Sequence, residues 1–171
     1  MLVSYHQLPP ESRVWIYTAD RILTEEEVQL AKNTVQRFVM DWQSHGDPVN
    51  GWGDVLHKSV IVLMADETMH GPSGCSIDSS VAMLRTIEKA LNIQLFNRMI
   101  ACVFQDEQPQ LLTLSALANA YSHNEVDDNT KIVNSMAHNK ANYESDFIQP
   151  LGKSFWMKLV NRQMSLNQAK V

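Results

Sequence analysis

Apolar positions along the chain recur with two periods. Arg13 to Thr18 (RVWIYT) is rich in β-branched and aromatic residues and reads as a strand. After the polar step ADRILTEEE, Val28, Ala31, Val35, Phe38 and Trp42 recur at spacings of three and four, which is one apolar face of a helix. Thr24 with Glu27 fits a capping box, and the glutamates at 25 to 27 suit the positive end of the helix dipole. Gly46 stands where a C-cap glycine is expected. HGDPVNGWGD (45 to 54) reads as a loop. Val55 to Ala65 (VLHKSVIVLMA) begins mixed and ends continuously apolar, as one strand that starts exposed and becomes central would.

Ile77, Val81, Leu84, Ile87 and Leu91 mark a second helix, and Met99 to Phe104 (MIACVF) a third buried strand. QDEQPQ reads as a turn, Leu111 to Thr113 as a short edge strand, Leu114 to Tyr121 as a short helix, and Lys131 to Asn134 as one more strand. AHNKANYESD is polar and carries no clear period. Phe147 to Val160 holds scattered aromatics suited to packing on a core. The expected fold is α/β or α+β: one domain over residues 1–160, with a mixed sheet of four to five strands packed by two main helices and a short third. A polar C-terminal tail, as a frayed helix or a free segment, is expected over 161–171.

Composition narrows the function classes. A chain of 171 residues with 44% hydrophobic content supports one domain with its own core. A net charge of −5 gives no basic footprint for nucleic acid. The N-terminus lacks a basic region followed by an apolar run, and the longest apolar run, Val60 to Ala65, is far too short to span a bilayer. A cytoplasmic protein is therefore expected. Cys75 and Cys102 form no disulfide framework and no CxxC pair, and the six histidines show no metal-ligand spacing, so neither metal nor cofactor is expected.

GPSGCSIDSS (71 to 80) is the most suggestive stretch. It leads into the second helix with Ser76 or Asp78 as cap, which places Cys75 beside orphan amides that favour a thiolate or a small anion. A cysteine nucleophile wants a base, and His70 and His57 are the candidates. The bland alternative is a capped helix with a small cysteine in a turn. Asp20, Arg21 and Asp66, with Glu67, follow the first two strands. If those strands are parallel, these residues share one sheet edge with the Cys75 loop and could bind a polar ligand there. The alternative for the ADR step is an ion pair or turn cap. Trp52, between two glycines, is either an exposed binding marker or folded back on the core. Gly152-Lys153-Ser154 copies the end of a P-loop, but Phe147 stands where its first glycine belongs.

The stretches WIYTADRILTEEE, DWQSHG, GPSGCSIDSSV and LFNRM together resemble a family of short, uncharacterised bacterial proteins that often carries the label "ABC transporter ATPase". The resemblance covers about residues 13 to 158. It implies a single domain of its own type and transfers no site, because the complete P-loop and signature loop of such an ATPase are absent. Two function classes follow: a binding or interaction protein without catalysis, with a small ligand or protein partner, or an enzyme using Cys75 with a nearby histidine. A homodimer through an edge strand or helix face is compatible with both.

Overall fold

The computed structural model describes residues 1–68 and 74–168. In chain order the elements are β1 (Arg13–Thr18), α1 (Glu25–Asp41), β2 (Gln43–Ser44), β3 (Asp47–Pro48), β4 (Gly51–Leu56), β5 (Val60–Ala65) and α2 (Gly74–Leu91). They continue with β6 (Ile100–Gln105), β7 (Gln108–Thr113), α3 (Leu114–Ser122), β8 (Lys131–Val133), α4 (Lys140–Asp146), β9 (Ile148–Pro150) and α5 (Phe155–Gln168).

The chain is α/β as expected, but the single mixed sheet is replaced, among the described residues, by two main antiparallel ones and the small antiparallel β2–β3 pair. The first has the order β1-β5-β4, and the second β7-β6-β8-β9. Alternation along the strands assigns their faces. Ile61, Leu63 and Ala65 of β5 join the core under α1 and α2, together with Ala31, Val35, Leu84 and Ile87. Val60, Val62 and Met64 face the other way, onto Cys102, Phe104, Leu111 and Val133 of the second sheet. That sheet's opposite face, with Ala101, Val103 and Ile132, packs on Leu117, Trp156 and Val160 of α3 and α5. The result is four layers: helices, sheet, sheet, helices.

The strand expected over 55–65 is a hairpin. His57 and Lys58 turn it with φ of 49° and 53°, which reverses the chain between Leu56 and Val60. That turn removes the parallel arrangement. Gly46 is not a helix cap either: α1 ends at Asp41, and His45 (φ 54°) with Gly46 (φ 91°) forms the two-residue turn between β2 and β3. The capping box of α1 is as expected, with the Glu27 amide donating to Thr24 Oγ1 at 3.2 Å and the Thr24 amide to Glu27 Oε2 at 2.9 Å.

Glycines set the helix-to-sheet distance. Gly51 and Gly53 place no side chain on the α1 face of β4, and a Cβ on Gly53 would sit 2.4 Å from Val35 Cγ1. Trp42 closes this layer, buried against Trp15 and Phe38, with its indole N–H donating to the Ser76 carbonyl at 3.1 Å. Of the two forms expected for the segment from residue 161, the helical one is present through Gln168, and Met164 packs on the α3–α5 core.

Candidate functional site

The sequence-selected residues do not converge. Because β1 and β5 are antiparallel, with Arg13 opposite Ala65 and Thr18 opposite Val60, Asp20 and Asp66 leave opposite ends of the sheet. The shared edge expected from parallel strands is therefore absent. At one end, Arg21 grips Glu27 bidentately at 2.7 and 2.8 Å and donates to the last carbonyl of α2, Leu91, at 2.6 Å. These bonds hold the Glu27 carboxyl down at about 2, the Arg21 guanidinium being the main cause and the Thr24 amide the next. Asp20 accepts from the Gln94 amide at 3.0 Å. The ADR step thus pins the β1–α1 connection to the end of α2, which is the ion-pair reading. At the other end, Asp66 Oδ1 accepts from the amide and hydroxyl of Thr68, and Glu67 meets Arg13 at 3.5 Å.

Cys75 is the second residue of α2 and its thiol is exposed. Ser76 and Asp78 lie inside the helix, so neither is its cap. Ser76 is buried where α2 meets Trp42, while Asp78 is exposed. His70 lies outside the described residues. His57 is not beside Cys75. It sits in the β4–β5 turn, edge-on to Phe104 at 4.8 Å and stacked on Phe147 at 6.1 Å. The α2 start lies instead near the opposite end of β5, where Trp42 reaches Ser76 and Gly51 pairs with Ala65. Burial pushes the His57 imidazole below its ordinary pKa. The other thiol, Cys102, is buried between the sheets with Ser59 Oγ at 3.9 Å, and burial pushes it up to about 11.

Sequence reasoning missed a cluster at the N-terminal lead-in. Lys140 is 6% exposed, donates to the Leu8 carbonyl at 2.7 Å and lies 4.5 Å over the Tyr5 ring. Tyr5 donates to Glu144 at 2.9 Å and meets Trp52 edge-on at 5.3 Å, so Trp52 is folded back. These polar contacts are structural, since together they fasten residues 5–8 to α4. Asn139, capping α4 through the Asn142 amide, was the available sequence signal. Gly152-Lys153-Ser154 lies in and just after a 3-10 turn whose Gly152 amide donates to the Asp128 carbonyl, so no phosphate cradle forms.

Surface features remain. An open trough of about 640 Å³ follows the outer side of α1 past Leu30, Asn33 and Arg37, and a polar hollow of about 250 Å³ lies by Tyr121 and Asp127. Among the described residues no group of three or more His, Cys, Asp or Glu is placed to hold a metal, and no helix is long and apolar enough to cross a membrane.

The sheet edges differ from one another. The Leu2–Gly51 bridge and Val3 cover the start of β4; His138 and Asn139 cover the start of β1; β9 has three residues and ends in proline. The remaining edge, β7 (QPQLLT), runs six residues, carries no charge and has no strand on its outer side among the described residues. The turn at Asp106 and Glu107 (φ 49° and 60°) makes Gln105–Gln108 the bonded pair next to the loop. Alternation then turns the N–H groups of Leu111 and Thr113 and the carbonyls of Pro109 and Leu111 outward. The Leu114 amide bonding inward to Met99 agrees with this phase. Compared with known proteins, the chain matches no protein-family model, no curated protein and no solved structure.

Proposed function

We propose that the protein is a binding or interaction protein without catalysis, and that it engages its partner by adding a strand to β7. The observation that carries this reading is the contrast among the sheet edges: β7 alone is long, uncharged and uncovered among the described residues. Edges of this kind are usually blunted by charge or covered, because their free amides and carbonyls template pairing. Leu111 and Leu112 are half-buried on opposite faces of β7, so an added strand would extend both apolar layers at once.

The test compares the immobilised protein with a Gln110→Lys variant, which puts a charge on an exposed position of the edge. The partner is expected to bind the former, to lose the latter, and to slow hydrogen exchange at the Leu111 and Thr113 amides. A partner that binds both alike and leaves those amides exchanging freely overturns the reading.

A second reading, an enzyme using Cys75 as nucleophile or redox thiol, is favoured by one observation: the thiol is exposed on the first turn of an 18-residue helix. His57 is not its base, because it lies at the other end of the sheet. The alkylation rate of Cys75 in the native protein, compared with that in the urea-unfolded chain, tests this reading directly, a much faster native reaction being its signature.

A further inference from the structure

We propose that the strand added to β7 is β7 of a second copy of this chain, paired antiparallel about a two-fold axis through Leu111. This rests on the strand-addition reading above and names its occupant.

Three features of β7 fit itself. The first is hydrogen bonding. With Leu111 opposite the partner's Leu111, each outward Leu111 N–H meets the other's carbonyl. Two residues away, each Thr113 N–H meets the carbonyl of the partner's Pro109. Pro109 has no N–H to return, and the group it faces is the carbonyl of Thr113. Thr113 is the N-cap of α3, with its Oγ1 accepting from the Ala116 amide at 3.2 Å. The carbonyl of an N-cap residue already accepts the first bond of its own helix. The missing donor of the proline therefore falls opposite an acceptor that is already satisfied. A register shifted by two residues would lose this match and set Pro109 against an unsatisfied carbonyl.

The second feature is charge. β7 contains no ionisable side chain, so a copy meets no like charge across the axis. Beyond the strand, the same register carries the Asp106–Glu107 tip of each copy to the start of the partner's α3. That helix has no acidic residue in its own first turn. Carboxylates are stabilising at such a terminus. The third feature is side-chain pairing. Leu111 is half-buried at the rim of the layer between the sheets, and directly opposed apolar residues on one face of an antiparallel pair support each other. Joined this way, the two four-stranded sheets become one continuous sheet.

The experiment measures self-association by sedimentation of the full chain from about 1 µM to about 200 µM, spanning the usual range of a moderate interface. Amide exchange is read at both ends of the range. The expected result is a monomer–dimer equilibrium. Leu111 and Thr113 should exchange about tenfold more slowly at high concentration, with β1 and β9 amides unchanged. Gln110→Lys should weaken the dimer about two- to fivefold, because the register sets the two lysines diagonal to each other, about 7–8 Å apart. Circular dichroism checks that this exposed substitution leaves the monomer folded.

A monomer throughout the range overturns the self-pairing. So does a dimer indifferent to Gln110→Lys, or exchange at Leu111 that ignores concentration. If those amides ignore concentration but slow when another protein binds, self-pairing fails and the strand-addition reading stands. If they slow with neither, both fail.

Discussion

Replacing Gly53 with alanine tests how closely α1 rides on the first sheet. The added Cβ would lie 2.4 Å from Val35 Cγ1 and 3.0 Å from Leu63 Cδ2. Carbon atoms prefer about 3.5–4.0 Å, so the first contact is short by more than about 1 Å. Val35 cannot rotate away cheaply, because a β-branched side chain in a helix has essentially one χ1 rotamer. The helix must move, and overpacking of this kind costs roughly 1–3 kcal/mol. A stiffer unfolded chain returns about 0.4–1 kcal/mol. The net expectation is a loss of about 1 kcal/mol in urea unfolding at 25 °C, equivalent to a fall of roughly 2–4 °C in Tm for a chain of this length. Val35→Ala alone removes buried methyl groups and costs about 2 kcal/mol. In the double variant the new Cβ occupies the vacated space, so the pair should be far less unstable than the sum, by about 1–2 kcal/mol. A Gly53→Ala protein as stable as the original, or strict additivity with Val35→Ala, would refute the close-approach argument.

Gly74, the first residue of α2, has open space around its would-be Cβ, so Gly74→Ala should stabilise by about 0.5 kcal/mol in the same assay. Cys75 should react with iodoacetamide in the native protein, whereas Cys102 should react only on unfolding, as peptide mapping will show; equal rates would contradict the buried inter-sheet position. His57 is held below its ordinary pKa by burial, so the unfolded chain takes up its proton first. That group's contribution is therefore present above about pH 6.5 and is lost as pH falls below it. Urea midpoints at pH 7.5 and 5.5 should differ less in His57→Asn, which keeps a residue tolerant of the positive φ there, than in the original; an equal difference would remove His57 as the cause.

Several parts of this architecture were legible from residue pattern alone, because their signals are local. The faces of α1 and α2, the Thr24–Glu27 box and the buried MIACVF strand follow from spacing within one element. What failed depended on turns. His57 and Lys58 adopt positive φ without a glycine to announce it, so a hairpin read as one strand, and the parallel arrangement on which a shared edge depended is not the one formed. The grouping of Asp20, Asp66 and Cys75, conditional on parallel strands, lapses with it. Pro109 hid the first half of β7, since proline within an apolar run argues against a strand. Here its lost N–H points away from β6, where no bond within the sheet is sacrificed. Lys140 was invisible for another reason: a lysine buried on a carbonyl and a tyrosine ring has no sequence signature, only partners brought from 132 residues away.

The layered arrangement also sets an order of events during synthesis. All strands of the first sheet and its two helices have been made once Leu91 is added, and Ile93 and Leu95 complete their core soon after. The inner face of that sheet, Val60, Val62 and Met64, is covered by Cys102, Phe104, Leu111 and Val133, all made later. From Leu91 to Val133 is 42 residues by subtraction, which at ribosomal speeds of roughly 5–20 residues per second takes about 2–8 s. For that interval the nascent chain carries a half-built molecule whose most apolar strand, VIVLMA, has one side still wet. Ribosome pausing between these codons would lengthen the exposure and favour capture by chaperones, and a release after Leu91 would leave a sheet with nothing to close it.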